Sequence, residues 1–277
     1  MSVKQYIKRG LRFILFGVPV KNIRANISYS QPNRRLQGRK IIITGGGKGL
    51  GAAMASKFTA EGAAILIAGR NVAQLKNTAE KIGCSYLPLD VQDTSSFAVF
   101  LEKADDILGG ADSLVNNAGI SLHEPTFFDV TPESFDAQIA TNFRGPFSLT
   151  QSFTGRLLEK KRRGNVLFVS SETGETVDIR PYGFTKAAIN SMVQGLACLF
   201  TSEGIRVNAV APGVTASDMT GIKAEGNLYL EGNVLERVYL PEEIAETACF
   251  LLSDDSGCIS GQIIVCNNGR TINARWK

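Results

Sequence analysis

Ile41-Ile42-Ile43-Thr44-Gly45-Gly46-Gly47-Lys48-Gly49-Leu50-Gly51 is the stretch whose reading decides the fold. Its β-branched apolar run reads as a short buried strand. The glycines permit a tight turn, and a helical stretch from Leu50 to Thr59 follows, closing at Glu61-Gly62. The first N–H groups of such a helix lack partners inside it and sit at its positive end. Strand, glycine turn and helix N-terminus together form a seat for a pyrophosphate. The spacing here is Gly45-x-x-x-Gly49-x-Gly51, and taken alone a plain tight turn explains it as well.

Outward from this stretch the chain alternates. Strands are expected at Ala64–Ala68, Ser85–Leu89, Ser113–Asn116, Asn165–Ser170, Arg206–Ala211 and Gln262–Cys266. Helices are expected near Val72–Ile82, Ser95–Leu108, Glu133–Thr150, Pro181–Thr201 and Pro241–Leu252. Strict alternation predicts an α/β fold: one doubly wound parallel sheet with helices on both faces, a Rossmann arrangement. No repeat or linker divides residues 39–277, which read as one domain.

Charge is uneven. The net charge is +4, yet residues 1–40 hold ten Lys or Arg, and no acidic residue precedes Glu61. The basic balance belongs to a leader, residues 1–38, and not to the surface as a whole. In it Ile7, Leu11, Ile14 and Leu15 recur at helical spacing between Lys4, Lys8 and Arg12, with Phe13 and Phe16 widening the apolar face. Residues 1–37 therefore read in three ways: an amphipathic helix on an anionic membrane surface, an organelle import signal, or an arm packed on its own domain or a sister subunit. The run Phe13–Val20 is too short to span a bilayer. Five scattered cysteines with no CxxC pair fit reduced thiols in a cytoplasmic setting. The single histidine, His123, argues against a His-ligated metal site and against a Ser-His-Asp triad, so no metal is expected. Nothing in the charge pattern of residues 39–277 points to nucleic acid.

Four further segments carry chemistry. Gly69-Arg70-Asn71 ends the second strand, where an acidic residue would favour NAD by bonding the ribose 2′-OH. Arg70 there, with Lys48 in the glycine loop, suits a 2′-phosphate and predicts NADP(H) over NAD(H); a solvated loop arginine is the plain alternative. Asn116-Asn117-Ala118-Gly119 ends a strand and can tie neighbouring strands beside the crevice. Ser170-Ser171 is delivered at the end of another strand, where doubly wound sheets bind ligands. Tyr182 and Lys186 lie four apart on a helix and share a face. A phenol titrates near pH 10 and shuttles protons poorly at neutral pH; an ammonium beside it favours the phenolate. A lone pair at this spacing is common on helix surfaces.

Taken jointly, these ordered motifs resemble the short-chain dehydrogenase/reductase family, over roughly residues 39–270, and its 3-oxoacyl carrier-protein reductase-like branch in particular. The resemblance implies an oxidoreductase that moves a hydride between NADP(H) and a small carbonyl or alcohol substrate. It implies that Tyr182 acts as general acid/base, that Ser171 bonds the substrate oxygen, and that Lys186 lowers the Tyr182 pKa and holds the nicotinamide ribose. It further implies that Asn142 holds a water in a proton relay, that Asp90-Val91 meets adenine, and that Asn117, Ala118 and Gly119 border a ribose. Gly45, Gly47, Lys48, Gly49, Leu50 and Gly51 would line the pyrophosphate, with Arg70 at the adenosine end. Pro212-Gly213, with Thr215 and Ser217, would flank the carboxamide. Homodimers or homotetramers through the helices around Glu133–Thr150 and Pro181–Thr201 are the family's usual assembly.

There are departures. Ser171 and Tyr182 stand about two positions closer than is usual, with Ser170 as the fallback if the register slips. The loop between them carries Glu175, Asp178 and Arg180, which suits a polar substrate. Cys266-Asn267-Asn268-Gly269 replaces the usual Asp-Gly-Gly ending. Lys160-Lys161-Arg162-Arg163 stands where carrier-docking enzymes place basic residues, but Glu203 occupies the second docking position. Met219–Val238 resembles the family's substrate lid. Two alternatives stay open: a non-catalytic cofactor-binding or scaffolding relative, and a reductase of lipid or polysaccharide metabolism held peripherally at a membrane by residues 1–37.

Overall fold

The computed structural model describes residues 34–272 together with Asn22, so the amphipathic reading of the leader lies outside the described residues. In chain order the main elements are β1 (Lys40–Thr44), α1 (Gly49–Ala60), β2 (Ala64–Gly69), α2 (Val72–Ile82), β3 (Ser85–Pro88), α3 (Phe97–Leu108) and β4 (Ser113–Asn116). There follow α4 (Pro132–Ile139), α5 (Gly145–Glu159), β5 (Gly164–Val169), α6 (Pro181–Phe200), β6 (Ile205–Pro212), α7 (Pro241–Leu252) and β7 (Ile263–Cys266). The seven strands form one sheet in the order β3-β2-β1-β4-β5-β6-β7. Every strand pairing is parallel.

Both faces of the sheet are covered, which explains why its strands are apolar throughout and do not alternate with polar residues. Side chains still alternate in direction along each strand. Ile42, Leu66, Leu114, Val166 and Phe168 point into the core with Phe97, Phe153 and Ile189. Ile41, Ile43, Ile65, Ile67, Val115 and Leu167 point the other way, onto Met54, Phe58, Leu75 and Ile244. The switch in strand order falls between β1 and β4, so a crevice opens at the carboxyl ends of those strands.

Three local features depart from the expected elements. The helix expected over Glu133–Thr150 runs on to Glu159 and is interrupted by a π-helical turn at Ala140–Arg144. Phe153 and Leu157, four apart and buried, carry it past Gly155. The segment after β6 packs on its own small cluster, in which Ala216, Leu228, Val238 and Leu240 are buried. Ahead of β1 the chain is already docked: Leu36 is wholly buried, and Arg35 bonds Glu61 at 3.0 Å and Glu246 at 2.9 Å. Lys57 joins both carboxylates, which ties the entry of the domain to α1 and α7.

Candidate active site

The crevice between β1 and β4 is made largely of backbone. Gly45 and Gly49 have positive φ, at +65° and +52°. A Cβ on Gly51 would stand 2.3 Å from the Gly45 carbonyl oxygen, so α1 starts hard against the turn and only glycine fits. A Cβ on Gly46 would meet the Ile67 side chain at 2.6 Å. At Gly49 the space is open, with Ser217 the nearest neighbour at 3.8 Å. No side chain caps α1 and its first turn holds no acidic residue, so its N–H groups are free for an anion. Asn117 fastens the floor: its amide donates to the carbonyls of Thr44 at 2.9 Å and Gly45 at 3.1 Å. The backbone N–H groups of Asn117 and Ala118 both donate to the Thr44 hydroxyl at 3.1 Å. An open cradle of glycine backbone at an uncapped helix start fits the diphosphate of a dinucleotide.

Side chains make the opposite wall. Ser171 begins a 3₁₀ turn at Glu172–Glu175, and its Oγ accepts from the Thr173 N–H at 3.2 Å. Ser170, the fallback, is buried and donates to Asn190 Oδ1 at 2.6 Å, so it is taken up in packing. Ser171 lies near enough to Tyr182 to draw the pKa of its phenol down. Lys186 is buried, its Nζ donating to the Val169 carbonyl at 2.7 Å and standing 5.5 Å from the centre of the Tyr182 ring. A Cβ on Gly119 would lie 3.4 Å from Asn142 Oδ1 and 3.9 Å from Lys186 Nζ, so the two walls meet there. Ser171, Tyr182, Lys186, Asn142 and Gly119 are thus brought together.

The electrostatics differ from the simple pair read from the sequence. Burial pushes the Lys186 ammonium down to about 8. Burial also raises the Tyr182 phenol above its usual value, against Ser171 and the charge of Arg180, which both lower it. Arg180 thus adds a second cation near the phenol, beside Lys186, whose Nζ also donates to the Val169 carbonyl. Asp178 holds Arg180 by a fork, at 2.9 Å to Nε and 3.1 Å to Nη2.

The remaining expected residues fall around the same crevice. Asn142 sits in the π turn, but its side-chain amide is engaged by Ile120: Oδ1 accepts from the Ile120 N–H and Nδ2 donates to the Ile120 carbonyl, both at 2.8 Å. Its side-chain amide is thus tied to the backbone at the end of the Asn117–Gly119 segment. Lys48 pairs with Asp218 at 2.6 Å across the mouth, a partner 170 positions away that no local pattern singles out. Arg70 is exposed just after β2, beside Asn71, which caps α2 by accepting from the Gln74 N–H. Asp90 and Val91 follow β3, with Val91 buried. Gly213 follows β6, where its N–H donates to the Cys266 carbonyl at 3.0 Å. Thr215 bonds back to the Gly213 carbonyl at 2.8 Å, and Ser217 faces Gly49. Sequence reasoning missed Thr185, whose hydroxyl lies 3.4 Å from the Asn142 amide and donates to the Tyr182 carbonyl at 2.7 Å.

Residues 45–271 match the family model described as enoyl-(acyl carrier protein) reductase, one of the short-chain dehydrogenases/reductases. The chain belongs to this family. It is an oxidoreductase of the short-chain class, acting on CH–OH or carbonyl groups, and it falls in the 3-oxoacyl carrier-protein reductase-like branch. The 3-oxoacyl-[acyl-carrier-protein] reductase FabG of Aquifex aeolicus is 31% identical over 245 residues, covering 85% of this chain and 98% of that one. The uncharacterized oxidoreductase YxbG of Bacillus subtilis is 31% identical over 252 residues, covering 85% and 92%. Among solved structures, the 3-ketoacyl-(acyl-carrier-protein) reductase of Brucella melitensis in complex with NADH superposes with a TM-score of 0.79 at 28% identity, covering 86% of this chain and all of that one. The short-chain reductase binds a nicotinamide cofactor. No helix of its described residues is long and apolar enough to cross a membrane.

Proposed function

We propose that this reductase converts a small carbonyl compound to its alcohol with NADP(H), using Tyr182 as general acid. The observation that carries the reading is the grouping of Ser171, Tyr182 and Lys186, with Lys186 Nζ 5.5 Å from the Tyr182 ring centre, where the side-chain wall meets the glycine crevice. A nicotinamide cofactor, its diphosphate held at Gly45–Gly51, would supply the hydride for the carbonyl carbon. Tyr182 gives its proton to the carbonyl oxygen, and its raised pKa keeps that proton in place at neutral pH. Ser171 donates to the same oxygen. Lys186, lying over the ring face, stabilises the phenolate left behind, as does Arg180. With the Asn142 amide engaged by Ile120, its main-chain carbonyl in the π turn would hold the water of the proton relay.

Arg70 supports the preference for NADP(H), being an exposed cation at the end of β2 with no acidic residue beside it. Lys48, held by Asp218, contributes less than its position in the loop promised. Carrier docking is disfavoured, because Lys160 pairs with Asp105 and Arg162 bonds the Gly110 carbonyl. Exposed Phe135, Phe147, Phe184 and Leu199 on α4, α5 and α6 support a homodimer or homotetramer. A cytoplasmic setting accords with five unpaired cysteines.

The test is a panel of carbonyl compounds followed by NADPH oxidation, with Tyr182→Phe alongside. Wild type should turn over at least one of them. The variant should lose about 10²–10⁴-fold in kcat while its cofactor affinity stays within about twofold. Full activity in Tyr182→Phe would overturn the mechanism.

A further inference from the structure

The turn that carries Ser171 is fastened to the far end of the chain. Glu172, the residue after Ser171, is buried, and its two oxygens take different partners. Oε2 accepts from Asn267 Nδ2 at 3.0 Å, and Oε1 accepts from Arg270 Nη1 at 2.6 Å. Asn267 follows β7 and organises its own turn, with Oδ1 accepting from the Gly269 N–H at 3.0 Å and Nδ2 reaching the Thr271 hydroxyl at 3.0 Å. The same turn presses on the cofactor side. A Cβ on Gly213 would lie 3.0 Å from the Asn267 Cβ and 2.7 Å from the Tyr239 ring. Tyr239 in turn roots the segment after β6, donating its N–H to the Val214 carbonyl at 2.9 Å and accepting from the Ala216 N–H at 2.8 Å. Asn267–Thr271 therefore touches the serine turn and the Pro212-Gly213 turn at once.

We propose that Glu172, Asn267 and Arg270 form a clamp by which the C-terminal turn holds the Ser171 hydroxyl in register with the Gly213 backbone. The three are positioning residues; none touches a reacting atom. The reason for the effect is geometric: a displacement of about 1 Å at a reacting group costs roughly 10²-fold in rate. Removing Arg270 or Asn267 leaves a buried carboxylate short of a donor one residue from Ser171, and it recovers hydrogen bonds by turning toward water. The Arg270 end is two-fifths exposed, so its loss perturbs the fold little and isolates the positional effect.

The inference rests on the proposed role of Ser171, and the test separates the two. Full-length Arg270→Gln and Glu172→Gln are compared with wild type on a carbonyl substrate that wild type reduces, and by hydrogen exchange of backbone amides. The clamp predicts that kcat falls about tenfold or more with cofactor Kd within about twofold, and that Arg270→Lys restores most of kcat. It predicts exchange about tenfold faster in residues 171–176 and 212–216, with residues 44–51 unchanged. Faster exchange with unaltered kcat, or no change in either, would overturn it. Lack of turnover in wild type would instead sink the proposed carbonyl reduction, and unchanged exchange in the variants would then still overturn the clamp.

Discussion

On the β1 side the crevice is lined by backbone; on the β5 side it is lined by functional groups. Gly45, Gly49 and Gly51 contribute only conformation and the absence of a Cβ, and the close contacts of Gly45 and Gly51 lie within the loop and the residues just after β4. Ser171, Tyr182 and Lys186 contribute a hydroxyl, a phenol and an ammonium, and each is placed by partners from elsewhere in the chain. The difference teaches where each wall is fragile. The backbone wall fails when an atom is added, the side-chain wall when a group is removed. The first failure shows in binding, the second in chemistry.

The largest expected effect tests the side-chain wall. Lys186→Met should lower kcat at least about a hundredfold, yet leave the protein no less stable at pH 7. With the folded pKa near 8 against an ordinary 10.5, burying the charge costs on the order of 3 kcal/mol. That cost is present in full below pH 8 and fades as pH rises toward 10.5, where the ammonium is neutral in both folded and unfolded chains. Thermal midpoints of variant and wild type should therefore converge by about pH 10.5. A variant destabilised at pH 7 would show Lys186 to be structural.

Gly51→Ala tests the backbone wall. Its methyl would collide with the Gly45 carbonyl, which cannot move without unseating the turn. Cofactor affinity should fall at least about tenfold, and the midpoint should drop by about 2–10 °C, from an overpacking cost of about 1–3 kcal/mol. Retained affinity would mean that the loop is not the diphosphate seat. Arg70→Ala asks whether the backbone wall is also charged: affinity for NADPH should weaken about tenfold and that for NADH should stay within about twofold. Equal weakening of both would remove the proposed preference.

The smallest effect on activity is expected far from both walls. Burial alone would raise the Glu61 carboxyl, but hydrogen bonds from Arg35 and Lys57 outweigh it and hold the pKa at about 2. That stabilisation is complete above the ordinary value of 4.5 and is lost as pH falls toward 2. Glu61→Gln should therefore lower the midpoint at pH 7, match wild type near pH 2, and change kcat by less than about twofold. A large loss of turnover would mean that the docking of Arg35 reaches the crevice.

Sequence by itself determined the parts that local physics encodes. Strand and helix order, the glycine turn with its positive φ, and the helical phase that aligns Tyr182 with Lys186 all follow from residue size, backbone freedom and periodicity within a few positions. Tertiary structure decided the partners. It engaged Ser170 with Asn190 and left Ser171 to Tyr182, turned Lys186 to Val169, drew Lys48 to Asp218, and laid Asn267 and Arg270 on Glu172. These contacts join residues that are distant in the chain, so no local pattern carries them. They are set by which side chains the closed sheet brings within reach, and by the need of each buried polar group for a hydrogen-bond partner.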